Sequence, residues 1–477
     1  MAALGGCRLT DAVAADPPAG ALAAPGPVAG PAATASGWDG FLSKLEKRTF
    51  RYFWERTNPA NGLVPDRWPT PSFSSIAATG FGLTAYTIGA ERGYVPRAKA
   101  ARRALTTLEF FLAAPQGPQA EGMSGYKGFF YHFLDMNTGH RYRDVELSTI
   151  DTALLAAGAL SCQSYFDRDD PTEAAIRARA EELVTRIDWQ WASAKNPPLV
   201  NHGWTPEVGY LPHEWIGYTE AMILYIIALG SPTFPLDEQA WPAFCSTYPW
   251  DEFYGQEYVQ FSHLFGHQFT LAWIDGRGIR DEYMRGRGID YFENSRRATY
   301  AQRAYAIANP MGWKDYGELI WGFTACDGPA DATHTYNGEP RQFFKYAARG
   351  AGADGIRDDG TIAPYAAGSS IVFAPEIVVP ALREMKRRYG GRLWSTYGFR
   401  DAFNPSFSWT PEVGRVGKKG WVGPDYLGID QGPLLLMLEN YRSGLVWNTM
   451  RRNPHIVRGL RRAGFSGGWL DSAAAAP

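Results

Sequence analysis

Residues 201–236, NHGWTPEVGYLPHEWIGYTEAMILYIIALGSPTFPL, change character halfway along. The first half is broken by Gly203, Pro206, Gly209 and Pro212 and carries Trp204, Tyr210, His213 and Trp215, so it reads as an aromatic-rich loop. Residues 216–229 read as a buried helix, because AMILYIIAL offers water almost nothing polar. Glu220 stands at the junction. Flat rings beside polar groups suit sugars, whose C–H faces are apolar and whose hydroxyls need hydrogen bonds. A carboxyl group there is partly desolvated, which raises its pKa as a general acid requires. The competing role for Glu220 is structural, as a helix cap or an arginine's partner.

Working outward, the same alternation recurs. Residues 38–56 put Phe41, Leu45, Phe50 and Phe53/Trp54 on one helical face. Residues 72–92 predict a helix rich in Ala and Gly, which permits close packing. Residues 96–112 predict a half-solvated one. GFFYHFLDMNTGHRY reads as a hairpin, 147–165 as a buried helix and 171–189 as an amphipathic one. Helical patterns continue over 249–274, 281–308, 339–349, 371–389 and 430–450. About a dozen helices without a βαβ rhythm or a break in composition predict one all-α domain, over residues 37–467. Helices apolar all round, alternating with half-solvated ones, fit the inner and outer rings of an (α/α)6 barrel. Long loops and short hairpins would then build a cleft at one end.

Composition narrows the function. The chain of 477 residues has 17 Trp, 25 Tyr and 26 Phe, which points to a binding surface beyond what a core needs. Net charge is −2 with no basic block, so nucleic acid is excluded as an expected partner. Cys7, Cys162, Cys245 and Cys326 have no metal-ligand spacing, and nothing demands a disulfide. No apolar run reaches the ~20 residues of a membrane span. Leu4-Gly5-Gly6-Cys7 reads as a lipobox behind a clipped signal, and the Ala/Pro/Gly tract within residues 1–36 as a tether. These predict a periplasmic or outer-membrane-anchored lipoprotein whose only membrane contact is a lipid on Cys7. Residues 468–477 read as a disordered tail, and the protein as a monomer.

The remaining chemistry lies in carboxylates. Asp144, Glu146 and Asp151 lie in RDVELSTID at the entry to a helix, and Asp144 and Asp151 share a face if the first turn begins early. Glu318 and Asp327 flank WGFTACDGP around Trp321, Asp359 lies in the DDGT turn, and Asp430 reads as a helix cap. His263 and His267 have i, i+4 spacing but no third ligand, so no metal or other cofactor is expected. Carboxylates and aromatics in a helical barrel suit glycoside chemistry.

ELSTIDTALL, GWTPEVGYLPHEWIGYTEAMILYIIALGSPTFPL, YGELIWGFTACDGP, DDGTIAPYAAGSSIVFAPEIVVPAL and DYLGIDQGPLLLMLENYRSGLVW resemble, in order, the glucoamylase-like (glycoamylase) family. That family overlaps glycoside hydrolase family 144, whose characterised members are endo-β-1,2-glucanases built on an (α/α)6 barrel. The resemblance implies hydrolysis of β-1,2-glucan with inversion and Glu220 as general acid. It also implies Asp144 or Asp151 as a second catalytic carboxylate. Trp215, Tyr218, Glu146, His213, Trp321, Asp327, Glu318 and Asp359 become the expected substrate contacts. The chain departs from the expected pattern at Ser148, where an acidic residue is anticipated. Alternatives are a transglycosylase or exo-glycosidase on a related glucan, or a surface glycan-binding lipoprotein without catalysis.

Overall fold

The computed structural model describes residues 38–473; the Cys7 motif and its tether lie outside them. Helices dominate. Six of them are almost wholly buried: Ile76–Glu91, Thr149–Tyr165, Met222–Leu229, Leu264–Trp273, Pro364–Gly368 and Gly428–Ser443. The first packs on the second, the second on the third and the third on the fourth. The fourth meets Gly428–Ser443, which returns to Ile76–Glu91. Pro364–Gly368 joins through Gln268, whose Nε2 donates to the Ala366 carbonyl at 2.6 Å. More polar helices lie against this set: Gly40–Arg56, Arg97–Ala113, Pro171–Thr185, Tyr291–Ala308, Pro375–Leu393 and Pro454–Arg462.

The small residues of the Ile76–Glu91 helix do what their size permits. A Cβ on Gly80 would come within 2.2 Å of the Leu154 carbonyl oxygen, and one on Gly158 within 2.1 Å of the Gly80 oxygen. Both obstacles are backbone, so neither can rotate away. Gly158→Ala is expected to destabilise the protein by roughly 1–3 kcal/mol through overpacking. A urea midpoint equal to that of the parent would refute this close approach.

Of two predicted helices, 249–274 begins as a hairpin and 339–349 is strand. Residues 250–259 form the hairpin Trp250–Phe253/Gln256–Val259, turned at Tyr254 and Gly255, and helix begins only at Leu264. Residues 339–348 supply Glu339–Phe343, paired with Ala332–Tyr336, and then Tyr346–Ala348. Asn337 and Gly338 both have positive φ there, the backbone that a two-residue hairpin turn demands. Gly288 and Gly444, also left-handed, split the predicted 281–308 and 430–450 helices. The helix expected from 216 starts at Met222. Residues 468–472, expected as tail, form one helical turn with Leu470 buried. Cys162, Cys245 and Cys326 are buried free thiols.

Candidate active site

Short strands stitch the beginnings of the buried helices together, and this positions the polar residues. Ser74–Ser75 pairs with Phe133–Leu134, bringing His132 to the start of the Ile76–Glu91 helix. Leu147 and Ser148 pair with Tyr131 and Phe130 on one side and with Trp204 and Gly203 on the other. Arg67 and Trp68 pair with Leu427 and Tyr426, immediately before the Gly428–Ser443 helix. Asp151 and Asp430 each lie in the first turn of their helix, where the dipole favours a carboxylate.

Glu220 lies two residues before the Met222–Leu229 helix and is 8% exposed. Its carbonyl accepts a hydrogen bond from the Thr270 hydroxyl at 3.1 Å, and that hydroxyl in turn accepts from the Ile223 N–H at 3.1 Å, fixing the turn. Burial above all, with the charge of nearby Asp151 adding to it, pushes the Glu220 carboxyl up to about 7. Glu220 therefore holds a proton through the acid half of the physiological range.

Asp151 belongs to a second network. Ser148 caps the helix by accepting from the Asp151 N–H at 3.2 Å, and its hydroxyl donates to Asp151 Oδ2 at 2.5 Å. His132 lies between two carboxylates, with Nδ1 2.8 Å from Glu146 Oε1 and Nε2 3.6 Å from Asp151 Oδ2. Burial alone would strip its proton, but Asp151 and Glu146 reverse that and hold His132 up at about 9. Burial pushes the Asp151 carboxyl up, His132 opposes that rise, and the charge Asp151 carries when ionised opposes ionisation of Glu220. Asp151→Asn is therefore expected to lower the pKa of Glu220 from about 7 while burial keeps it above the usual carboxylate value. Carboxyl-carbon NMR titration reads this directly, and an unmoved Glu220 would break the link.

The second half of the site centres on Arg67. Its Nη1 reaches Asp327 Oδ2 at 2.9 Å, its Nε reaches Asp66 Oδ2 at 3.1 Å, and Asp425 Oδ2 lies 3.7 Å away. The Asp327 N–H donates to Asp401 Oδ2 at 2.8 Å, and buried Asp430 lies in the field of Asp401. Burial and the neighbouring Asp401 push Asp327 up to about 7, and burial with Asp401 pushes Asp430 well above the carboxylate range. Asp66, Asp327 and Asp425 thus share one guanidinium, with Asp401 and Asp430 beyond Asp327. Asp66 also lies in the field of His132, which joins the two halves.

The expected substrate contacts separate into two groups. Trp215, Glu146 and Asp327 stand at this end of the molecule; the Trp215 ring stacks on His202 at 3.9 Å, with its Nε1 donating to Thr149 Oγ1. The others do not fit the expectation. Tyr218 is packed among Tyr248, His267 and Tyr291 and keeps no open face for a sugar. Trp321 is wholly buried. Asp359 is a structural partner, clamped on the Arg349 guanidinium at 2.7 and 2.8 Å with both groups buried. Glu318 is exposed opposite Arg303, and exposed His213 lies 6.0 Å from the His202 ring. Asp144 is exposed in a turn five residues before helix begins at Thr149, so it shares no helical face with Asp151. His263 and His267 hydrogen-bond the Arg349 and Phe261 carbonyls. Among the described residues, no cluster of His, Cys, Asp and Glu could hold a metal ion.

Sequence reasoning passed over Arg67, Asp66, His132 and Asp401. Only Asp66-Arg67 left a trace, as a charged pair inside the otherwise apolar loop GLVPDRWP.

Known proteins resemble this chain over most of its length. A curated exo-β-1,2-glucooligosaccharide sophorohydrolase of Parabacteroides distasonis is 28% identical over 457 residues, covering 88% of this chain. The chain spans 57% of that relative's length. A solved endo-β-1,2-glucanase of Chitinophaga pinensis, in complex with sophorotriose and glucose, superposes with a TM-score of 0.76 at 26% identity, over 90% of this chain and 98% of its own. A solved glucoamylase-like protein of Bacteroides uniformis superposes with a TM-score of 0.76 at 31% identity, over 90% of this chain and 98% of its own. The Glycoamylase family model matches residues 212–454, beginning just ahead of Glu220 and running past the Gly428–Ser443 helix. With half its length under that model and near-complete overlap with a relative of this identity, the chain belongs to the glycoamylase family.

Proposed function

We propose that this protein is a glycoside hydrolase that cleaves β-1,2-glucan or its oligosaccharides, with Glu220 as general acid, on an (α/α)6 double ring of helices. The observation that carries the reading is the Glu220 carboxyl, 8% exposed and pushed up to about 7 at the head of a buried helix. A proton donor for a glycosidic oxygen needs such a pKa near its working pH. The Parabacteroides and Chitinophaga relatives act on β-1,2-linked glucans by exo and by endo cleavage respectively, which supports the linkage more than the mode of attack.

In this reading Glu220 protonates the departing oxygen while a carboxylate across the opening takes a proton from water. Asp151 tunes Glu220 and orders the near wall, whereas the Arg67 side supplies the base from its aspartates. Inversion requires the two carboxyls to lie ~6.5–9.5 Å apart, against ~5 Å for a retaining transglycosylase. Incubation with linear β-1,2-, β-1,3-, β-1,4- and β-1,6-glucans, with products followed by proton NMR, tests this. Short β-1,2-oligosaccharides released in the inverted anomer are expected. Cleavage confined to another linkage would refute the substrate, retained anomers would favour the transglycosylase, and binding without cleavage would favour a glycan-binding protein.

A further inference from the structure

The strand Tyr346–Ala348 runs antiparallel to Ala325–Asp327, with Tyr346 directly opposite Asp327. Residues directly opposed in such a pair project from the same face of the ladder, their Cβ atoms about 4.5–5.5 Å apart. Tyr346 therefore rises beside the carboxylate that Arg67 holds. Exposure separates the two: Tyr346 is 41% exposed, whereas Asp327 is 5%, Asp401 1% and Asp430 3%. Among the large hydrophobic side chains left exposed in the described residues, Tyr346 is the aromatic one. Its phenol lies beside the buried acids, and burial first, then the charges of Asp430, Asp401 and Asp327, push it well above its ordinary value.

The ring is also held firmly from behind. Buried Arg349 donates to the Cys326 carbonyl at 2.6 Å and to the Phe344 carbonyl at 2.8 Å while its other edge clamps Asp359. The Gly328 N–H donates to the Lys345 carbonyl at 2.6 Å, tying the two strands together at their end. An open ring on a rigid backbone loses little entropy when a ligand lies against it.

We propose that Tyr346 is a glucan-contacting residue, its ring the stacking platform for a sugar whose hydroxyls bind the Asp327–Arg67 pair. The inference rests on the glucanase reading and adds a specificity element beside the Asp327–Arg67 pair. Glucopyranose presents axial C–H bonds to such a ring and equatorial hydroxyls to the flanking ions.

The test is kinetic and calorimetric. Tyr346→Ala in the full chain is expected to raise KM for linear β-1,2-glucan about tenfold, a loss of about 1.4 kcal/mol. Kd for sophoro-oligosaccharides, measured on Glu220→Gln with and without Tyr346→Ala, is expected to rise by the same factor. Tyr346→Phe keeps the ring and is expected to stay within threefold of the parent, and neither substitution of this exposed residue is expected to move Tm. KM and Kd within twofold of the parent in Tyr346→Ala would overturn the proposal. A fall in Tm with KM unchanged would also overturn it, by reducing the role to packing. If the parent chain neither binds nor cleaves any of the glucans, the functional reading fails first and this one with it. If the parent cleaves and only the Tyr346 variants behave as parent, this inference fails alone.

Discussion

Glu220→Gln is expected to leave a folded protein that binds β-1,2-oligosaccharides with nearly parental affinity but turns them over 10²–10⁴-fold more slowly. That range is what a positioned proton donor contributes. The amide keeps the shape and one hydrogen bond of the carboxyl but has no transferable proton, so the loss should appear in kcat rather than in KM. Glu220 occupies a nearly closed site whose environment disfavours charge, and a neutral glutamine removes that strain. Its raised carboxyl pKa marks stability present at low pH and lost as pH rises through about 7, so the variant is expected to equal or exceed the parent in Tm above neutrality. The parental rate should fall over the same interval, because the acid form is the active one. A parental kcat in Glu220→Gln would remove this residue from the chemistry.

Breaking the Arg349–Asp359 clamp is expected to have the largest effect on stability. Both side chains are fully buried, and the carboxylate also accepts from the Phe344 and Thr361 backbone N–H groups. Asp359→Ala would leave a guanidinium without its counter-charge in a dry interior, at a cost of about 3–5 kcal/mol. The double variant Arg349→Met/Asp359→Leu removes both charges and should recover much of that, since the pair is costly to desolvate in the first place. Urea unfolding of the single and double variants checks this, and single and double losses of equal size would refute it. Because Arg349 also secures the carbonyls around Asp327 and Tyr346, Asp359→Ala should lose activity at temperatures where it is still folded.

The two aspartates just discussed mark the boundary of what local pattern conveys. Asp327 and Asp359 looked alike as acidic residues in glycine-rich turns, yet one meets Arg67 at the site and the other is a buried strut. Their partners lie 260 and 10 residues away, and turn chemistry carries no trace of which cation will arrive. The family resemblance implied Tyr218 and Trp321 as sugar contacts, but an aromatic ring is equally at home in the core, and packing took both. The helix expected over 339–349 failed for a different reason. The Asn337-Gly338 turn signal was present, and its left-handed backbone outweighed the helical spacing that followed.

The sequence by itself determined the helical class, the alternation of buried and half-solvated helices, the close packing permitted by the small residues of the 72–92 helix, and the place of Glu220. All of these follow from short-range rules: an apolar run without a polar face must be buried, and a missing Cβ lets backbones touch. Only the tertiary structure decided that Arg67, His132, Asp401 and Tyr346 stand at the same end as Glu220, and that Asp144 and Glu318 face water. Those outcomes depend on register between strands two or three residues long, drawn from segments far apart in the chain. Such pairings are set by how the packed helices bring their ends together, which no local pattern encodes.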